Sequence, residues 1–289
     1  MNISRWLIET GKFLEETRPG AGRTDAEVIL GHIIRKDRTS LYRDSGDDLS
    51  PEVEKLAREL VERRAGGEPL AYITGNKEFM GLDFYVSRAV LIPRPETELL
   101  VEKAVVILKN AFTSPAYPPV VADIGTGSGA IAIALAVLLD LPLVYATDIS
   151  PEAINVARRN AARNRVAQRI DFRQGDLLAP LAGIPDFRAD LLTANLPYVA
   201  STEMPLLMAD VREHEPQLAL DGGGDGLDLY RRLVPAAFDM LRVGGHLLME
   251  IGPGQGAVLS GILVDGWRVD ILRDLAGRER LVVAEKIFL

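Results

Sequence analysis

The chain has 289 residues, 47% of them hydrophobic, so it is long enough to bury one large core or two ordinary ones. It contains no cysteine, which excludes a disulfide framework, a thiolate zinc site and a cysteine nucleophile, and which a reducing cytoplasm permits. The formal net charge of −8 disfavours sequence-independent binding to nucleic-acid phosphates over a wide surface, because such binding requires clustered lysine and arginine.

The first apolar stretch of the chain does not have the pattern of a signal peptide, because it carries acidic residues such as Glu9 and lacks a cleavage-site pattern. The apolar run from Ala130 to Ala146 contains Asp140 and Pro142, and it ends before the roughly 20 apolar residues that a membrane span needs. We therefore expect a cytoplasmic protein that does not enter a membrane.

Two helices are predicted at the start of the chain. The first places apolar residues at helical spacing from Ile3 to Leu14 and ends at Arg18-Pro19-Gly20. In the second, Thr24 and Glu27 have the spacing of a capping box, ahead of an apolar face between Ala26 and Ile34.

A third helix begins with Ser50 as its N-cap and ends at Gly66-Gly67, with Val53, Leu56, Ala57 and Leu60 on one side. The apolar period then shortens around Gly81, which predicts a β-hairpin. We therefore expect a helical domain over residues 1–76 that binds a partner, and a hairpin linker over residues 77–92.

From residue 93 onward, apolar β-like segments alternate with helical ones, starting with a helix from Pro95 to Lys109. The strands predicted are Val120–Ile124, Leu143–Thr147, Ile170–Arg173, Asp190–Ala194, His246–Ile251, Trp267–Leu272 and Leu281–Ile287. The helices predicted between them are Ala130–Leu139, Pro151–Asn164, Leu227–Leu241 and Gln255–Leu263.

Such alternation predicts a doubly wound, mainly parallel sheet. The connection Arg273–Arg280 is too short for a helical crossover, so the last two strands should be antiparallel. The fold class expected for residues 93–289 is therefore α/β, with the seven-stranded, Rossmann-like sheet of a class I methyltransferase. Ligands of such sheets bind at the carboxyl ends of the strands, where the strand order reverses.

Three neighbouring strand ends carry residues suited to an adenosine-bearing ligand. The first strand runs into the glycine loop Gly125, Thr126, Gly127, Ser128 and Gly129, whose backbone can approach a ligand closely. The second ends at Asp148, which is placed to accept the hydroxyl hydrogens of a ribose. The third ends at Asp176 and Leu177, the first to accept from an adenine amino group and the second to lie against the ring. These features do not distinguish adenosylmethionine from a dinucleotide.

The fourth strand ends at Asn195, Leu196, Pro197 and Tyr198, an arrangement suited to a flat amide or amidine. An amide nitrogen is a poor nucleophile, so it must be aimed at the group it attacks. The Asn195 side-chain oxygen and the Leu196 carbonyl would each accept one N–H, and Tyr198 would stack on the planar group.

The sequence resembles the glutamine methyltransferases that modify peptide-chain release factors, the PrmC/HemK family. The resemblance covers nearly the whole chain and rests on five segments: Gly67–Gly75, Leu91–Glu98, the glycine loop, Asn195–Tyr198, and Glu215-Pro216 followed by Ala219–Gly223. The segment Pro93-Arg94-Pro95-Glu96-Thr97-Glu98 is the most family-specific of these.

This resemblance implies S-adenosyl-L-methionine as cofactor, held by the glycine loop, Asp148, Leu177 and Asn195. It implies as substrate the glutamine in the Gly-Gly-Gln loop of a release factor, with its amide held by Asn195 to Tyr198. The family pattern has proline where this chain has Leu196. Because the backbone carbonyl is the expected contributor at that position, we expect activity to persist with a less rigid loop.

Three alternatives remain open from sequence alone: an adenine-N6 nucleic-acid methyltransferase, a glutamine methyltransferase acting on a ribosomal protein, and a binding module that retains the cofactor pocket. The histidines His32, His214 and His246 have no ligand spacing, so no metal site is predicted. Glu215 is expected either in acid-base work or in a solvated loop. We expect a monomer with no direct contact to nucleic acid or membrane.

Overall fold

The computed structural model describes residues 1–111 and 118–288. These residues form two compact units: Met1–Asn76 with Met208–His214, and Lys77–Leu207 with Glu215–Leu289. Residues 112–117 and 289, which fall in the predicted range 93–289, lie outside the described residues. No helix within the described ranges is long and apolar enough to cross a membrane.

The first unit is helical. Its helices are α1 (Ile3–Thr17), α2 (Gly22–Ile34), α3 (Arg38–Arg43), α4 (Pro51–Ala65) and α5 (Leu70–Thr74), joined by a short helix at Ala209–His214. The first and third predicted helices are confirmed, and the Ser50 hydroxyl caps α4 by accepting from the Val53 N–H at 3.3 Å. Helices α3 and α5 were not predicted, because segments of six and five residues are too short to show a helical period. Leu56, predicted on the buried side of α4, is exposed.

The predicted capping box at Thr24 and Glu27 is wrong. Helix α2 already begins at Gly22, so Thr24 lies within its first turn. The Glu27 carboxylate is buried and forms ion pairs with Arg23 at 3.2 Å and with Arg38 at 2.8 Å. Because these partners hold the side chain, it does not reach back to cap the helix.

The second unit is an α/β sandwich preceded by the hairpin β1 (Asn76–Phe79) and β2 (Leu82–Tyr85). Its main strands are β3 (Val121–Ile124), β4 (Val144–Asp148), β5 (Ile170–Gln174), β6 (Ala189–Ala194), β7 (Leu241–Glu250), β8 (Trp267–Arg273) and β9 (Glu279–Lys286). Its helices are α6 (Glu98–Ala111), α7 (Ala130–Leu138), α8 (Pro151–Arg163), α10 (Asp228–Met240) and α11 (Gly256–Ile262), with α9 the helix Ala209–His214 of the first unit.

The sheet has the order β5-β4-β3-β6-β7-β9-β8. Strands β3 to β7 are parallel, and β9 runs antiparallel to both β7 and β8. All seven predicted strands and the antiparallel pair are therefore confirmed. Strand β3 pairs with β4 on one side and with β6 on the other, so the strand order reverses at its carboxyl end. This reversal opens the crevice in which ligands of such sheets bind.

The hairpin turns through Met80 and Gly81, whose φ angles of 52° and 73° give the two-residue turn that matches strand twist. Phe79 and Phe84 flank it and pack edge to face, with ring centroids 6.1 Å apart. Both rings are buried in the same core as α6 and α7. The helix predicted from Pro95 begins instead as a 3₁₀ turn, Pro95–Thr97, and continues as α6.

Candidate functional site

A cavity of about 420 Å³ opens at the carboxyl ends of β3, β4, β5 and β6. Its volume falls within the range of small-molecule sites. Residues important to its chemistry come from four strand ends and from the segment before α6: Pro93, Arg94, Thr97, Gly125, Thr126, Gly127, Ser128, Asp148, Ile149, Asp176, Leu177, Asn195, Leu196 and Pro197. The sheet topology thus brings together nearly all the residues that the sequence predicted for the site.

The glycine loop and Asp148 are joined by hydrogen bonds. The Asp148 carboxylate accepts the Gly127 N–H at 2.8 Å through one oxygen and the Ser150 N–H at 2.9 Å through the other. Gly125 and Gly127 have φ angles of 72° and 55°, a conformation that favours glycine. Burial raises the pKa of Asp148, and the backbone donors oppose this shift. The Asp148 carboxylate is therefore held in a fixed position beside the glycine loop, whose backbone a ligand can approach closely.

Gly129 is the one glycine-loop residue that does not line the cavity. It precedes α7 with a φ of 82°, and a Cβ there would lie 2.9 Å from Ile133 Cδ1 and 3.2 Å from Ala157 Cβ. Its lack of a side chain allows α7 and α8 to approach each other. The cofactor-binding role predicted for Gly129 stays a prediction.

The third strand end contributes Asp176 and Leu177, both at the cavity. The Asp176 carboxylate pairs with Arg232 of α10, a partner that the sequence did not predict. Leu177 has a φ of 48°, and its carbonyl accepts from the Thr147 hydroxyl at 2.8 Å. This hydrogen bond ties the ends of β4 and β5 together below the predicted adenine site.

Asp123, at the end of β3, was not predicted as a site residue. It is buried, and its two carboxylate oxygens accept from the Thr126 hydroxyl at 2.7 Å and from the Thr193 hydroxyl at 2.8 Å. Burial raises its pKa to about 6, against the lowering effect of these hydroxyls. Asp123 thereby connects the glycine loop to β6 from beneath.

The loop after β6 places Asn195, Leu196 and Pro197 at the cavity. The Asn195 side-chain amide donates to the Thr97 hydroxyl at 3.2 Å. The Leu196 N–H donates to the Tyr230 hydroxyl at 3.3 Å, and that hydroxyl in turn donates to the backbone carbonyl of Glu250. The predicted amide clamp is thus anchored from the 3₁₀ turn before α6, from α10 and from β7.

Tyr198 is not among the residues that line the cavity. Its hydroxyl donates to Glu250 Oε1 at 3.3 Å, and its carbonyl accepts from Gln255 Nε2 at 2.8 Å. Burial raises the pKa of Tyr198, so the phenol remains a neutral donor. The stacking role expected for its ring stays a prediction, whereas its observed contacts secure the end of the loop.

Two acidic residues support the site without lining the cavity. Glu215 is only 5% exposed, and its carboxylate pairs with Arg94 and accepts the Ile92 N–H at 3.2 Å. The expectation of a solvated loop at Glu215 is therefore wrong, because these two donors draw the carboxylate into the protein. Glu250, at the end of β7, was not predicted at all. Neither residue's contacts have a local sequence signal, because the partners lie far away in the chain.

The residues present fit a nucleoside cofactor with a charged tail. Gly125 and Gly127 line the cavity without side chains, a Cβ at Gly125 would lie 2.7 Å from Leu196 Cδ2, and the Asp148 carboxylate lines the cavity while it accepts from two backbone N–H groups. Within residues 1–111 and 118–288, no cluster of three or more histidine, aspartate or glutamate residues could hold a metal ion.

Two family models match parts of the chain. The PrmC N-terminal domain matches residues 5–75, and the model named ribosomal protein L11 methyltransferase (PrmA) matches residues 107–206. The first match lies in the helical unit, and the second spans the four strand ends that carry the predicted site.

Curated relatives match over most of the chain. A release factor glutamine methyltransferase from Moorella thermoacetica is 46% identical over 91% of this chain and 90% of its own length. One from Geobacter sulfurreducens is 43% identical over 90% of this chain and 87% of its own. One from Koribacter versatilis is 38% identical over 99% of both chains. The similarity therefore includes both the helical unit and the sheet.

Solved structures of more distant proteins share the fold. The hMettl16 catalytic domain, solved with MAT2A 3′UTR hairpin 6, has a TM-score of 0.57 and 18% identity, covering 80% of this chain and 83% of that one. A methyltransferase from Pyrococcus furiosus has a TM-score of 0.50 and 21% identity, covering 79% of this chain and 98% of that one. The predicted class I methyltransferase fold is confirmed.

Proposed function

The chain belongs to the release factor glutamine methyltransferase family, and we propose that it methylates the side-chain amide nitrogen (N5) of the glutamine in the Gly-Gly-Gln loop of a peptide-chain release factor. The methyl donor is S-adenosyl-L-methionine. One observation carries this proposal: the glycine loop and the loop Asn195–Pro197 line the same cavity and touch each other there.

We assign the cofactor to the first three strand ends. Asp148 accepts the ribose hydroxyls, and the backbone of Gly125 to Ser128 approaches the charged tail. Asp176 and Leu177 bind the adenine, with Asp176 also paired to Arg232. When bound, the cofactor supplies an electrophilic methyl group on a sulfonium.

Asn195 and Leu196 hold the substrate amide. Two N–H donors of the glutamine side chain need two acceptors, and the Asn195 side-chain oxygen and the Leu196 carbonyl supply them. Holding both hydrogens in place aims the nitrogen at the methyl group and favours the positive charge that develops on nitrogen during transfer. The residues need not include a general base, because the methylated nitrogen can release its proton to water.

The helical domain, residues 1–76, is proposed to hold the release factor, with residues 77–92 as the hairpin connecting it to residues 93–289. We further propose that the enzyme is a monomer and that it acts in the cytoplasm, whose reducing conditions suit a chain without cysteine. Neither nucleic acid nor a membrane is required for transfer.

The test is transfer of label from methyl-labelled S-adenosylmethionine to purified release factor. We expect one methyl group per molecule of wild-type factor and none on a factor with Gln→Ala in the Gly-Gly-Gln loop. Absence of transfer to the wild-type factor would contradict the proposal. Label entering free DNA or RNA, or a ribosomal protein in place of the factor, would favour one of the alternative acceptors.

Two variants separate the roles within the site. Asn195→Ala should lower kcat by about 100-fold with little change in cofactor affinity, since it removes an acceptor that acts on the substrate. Asp148→Ala should weaken cofactor binding by at least about tenfold, since it removes the ribose acceptor and the support of Gly127. Equal effects of both substitutions on kcat and on the cofactor Kd would contradict these assignments.

A further inference from the structure

Two buried residues are linked to the loop after β6: Thr97, which also lines the cavity, and Glu250, which does not. Thr97, in the 3₁₀ turn before α6, is 4% exposed, and Glu250, at the end of β7, is 2% exposed. The Thr97 hydroxyl accepts from the Asn195 amide nitrogen at 3.2 Å, and hydrogen bonding by Thr97 lowers the pKa of the Glu250 carboxylate. The side chains of Asn195, Thr97 and Glu250 thus form a connected series that runs from the cavity into the core.

Which group donates and which accepts in this series of hydrogen bonds follows from the number of hydrogens that each group carries. A carboxylate can only accept, and a threonine hydroxyl has a single hydrogen to donate. If Thr97 gives that hydrogen to Glu250, it can only accept from Asn195. The NH₂ group of Asn195 must then face Thr97, which leaves the Asn195 oxygen for the cavity.

A second hydroxyl also donates to Glu250. The Tyr198 hydroxyl donates to Glu250 Oε1 at 3.3 Å, whereas Glu250 Oε2 has no hydrogen-bond partner among the described residues. Burial raises the pKa of Glu250, while Thr97, the charge of Arg280 and Tyr198 lower it. Arg280 is itself buried, and its two terminal nitrogens donate to the Ile251 carbonyl at 3.3 Å and to Asp274 at 3.4 Å.

We propose that Thr97 and Glu250 are positioning residues that set the orientation of the Asn195 amide, so that its oxygen rather than its nitrogen faces the substrate. The inference rests on the proposed function, because the need for an acceptor at the cavity comes from a substrate that brings two N–H donors. With the amide reversed, Asn195 would present a donor to a donor, and the glutamine nitrogen would lose its alignment.

A carboxylate is the group that makes this orientation unambiguous. A glutamine at position 250 has nearly the same shape but can donate through its own NH₂ group. The Thr97 hydroxyl would then be free to give its hydrogen to the Asn195 oxygen, which would stabilise the reversed amide. Glu250→Gln therefore changes the hydrogen-bond polarity while keeping the volume.

The experiment measures kcat at saturating cofactor and release factor, together with the cofactor Kd by calorimetry, for Glu250→Gln, Thr97→Val and Thr97→Ser. We expect Glu250→Gln and Thr97→Val each to lower kcat about tenfold or more while the cofactor Kd stays within about twofold of wild type. Thr97→Ser keeps the hydroxyl and should retain most of the wild-type kcat. The variant carrying both Glu250→Gln and Thr97→Val should be about as slow as the slower single variant, because both act through Asn195.

The matched control is Glu285→Gln, which removes the charge of another β-sheet glutamate whose partner, Arg268, is at the surface at 2.7 Å. Its kcat should equal that of the wild type. Cofactor binding reports whether each variant folds, and if Glu250→Gln does not fold, Thr97→Val compared with Thr97→Ser decides the question. Wild-type kcat in Thr97→Val would overturn the inference while leaving the proposed function intact. A wild-type enzyme that does not label release factor would instead overturn the proposed function.

Discussion

The side chain of Leu196 lies directly over Gly125: a Cβ on Gly125 would lie 2.7 Å from Leu196 Cδ2. Leu196 belongs to the proposed substrate loop, and Gly125 belongs to the proposed cofactor loop. The two loops therefore meet at a contact that has no room for one additional carbon. This contact couples the geometry of the two binding sites.

Gly125→Ala should therefore weaken cofactor binding by about tenfold or more. A non-glycine residue at a φ of 72° costs about 1–2 kcal/mol, and the clash with Leu196 adds to this cost. Calorimetric titration with S-adenosylmethionine measures the effect. Gly183→Ala is the control, because among the described residues no atom beyond Gly183 and its two chain neighbours lies within 4 Å of the added carbon. Adding Leu196→Ala to Gly125→Ala should recover part of the affinity, and no recovery would show that the clash is unimportant.

The Tyr230 hydroxyl should contribute more to kcat in this protein than it would in a variant with proline at position 196. Its hydroxyl accepts the Leu196 N–H at 3.3 Å, and proline has no N–H to offer. Tyr230→Phe should lower kcat several-fold with Leu196 present and less after Leu196→Pro. The coupling between the two substitutions should be about 0.5–1.5 kcal/mol in a double-mutant cycle on kcat. An equal effect of Tyr230→Phe in both backgrounds would contradict a role for this hydrogen bond.

Glu215 should stabilise the second unit through Arg94 and Ile92. Glu215→Ala leaves the buried Ile92 N–H and the half-buried Arg94 without their acceptor, at a cost of about 1–3 kcal/mol in the free energy of unfolding. Urea unfolding followed by Trp267 fluorescence in a Trp6→Phe background isolates this unit, because these are the two tryptophans of the chain. Glu285→Ala, which removes a surface ion pair, should cost less than about 1 kcal/mol. Equal losses from both substitutions would contradict the buried role of Glu215.

Asp123 should make the second unit less stable as the pH rises. Its pKa is about 6 in the folded protein against 3.8 in the unfolded chain, so between these values the folded state binds more protons. The free energy of unfolding therefore falls as the pH rises through this window. Relative to Asp123→Asn, the wild type should lose about 2–3 kcal/mol between pH 4 and pH 7, because one pKa unit corresponds to about 1.4 kcal/mol. Urea unfolding at each pH measures the difference, and a difference that does not change with pH would refute the prediction.

Local sequence patterns were sufficient to predict the strands of the sheet and several of the residues that line the cavity. Alternating strand and helix periods predicted all seven strands, since a buried strand and an amphipathic helix each leave their own spacing in the sequence. Residues at strand ends could be placed together, because the carboxyl ends of parallel strands lie on one edge. Gly125, Asp148, Leu177 and Asn195 were predicted in this way, and all four line the cavity.

The capping box at Thr24 and Glu27 shows where local pattern fails. Its spacing is correct, yet Glu27 pairs with Arg38, eleven positions along the chain, rather than with the start of its own helix. A motif describes which hydrogen bonds a segment can make by itself, and a competing charge brought near by folding can take the side chain instead.

By itself, the sequence determined the order and type of the elements, the glycine loop, the acidic residue at the end of β4 and the segment Asn195–Tyr198 after β6, because each of these is encoded within a few neighbouring residues. Only the tertiary structure decided which side chains support them. Thr97 is 98 positions from Asn195, and Glu250 is 52 positions from Tyr198. Contacts of this kind depend on which strands become neighbours and on which way side chains point in a packed core, and no local spacing carries that information.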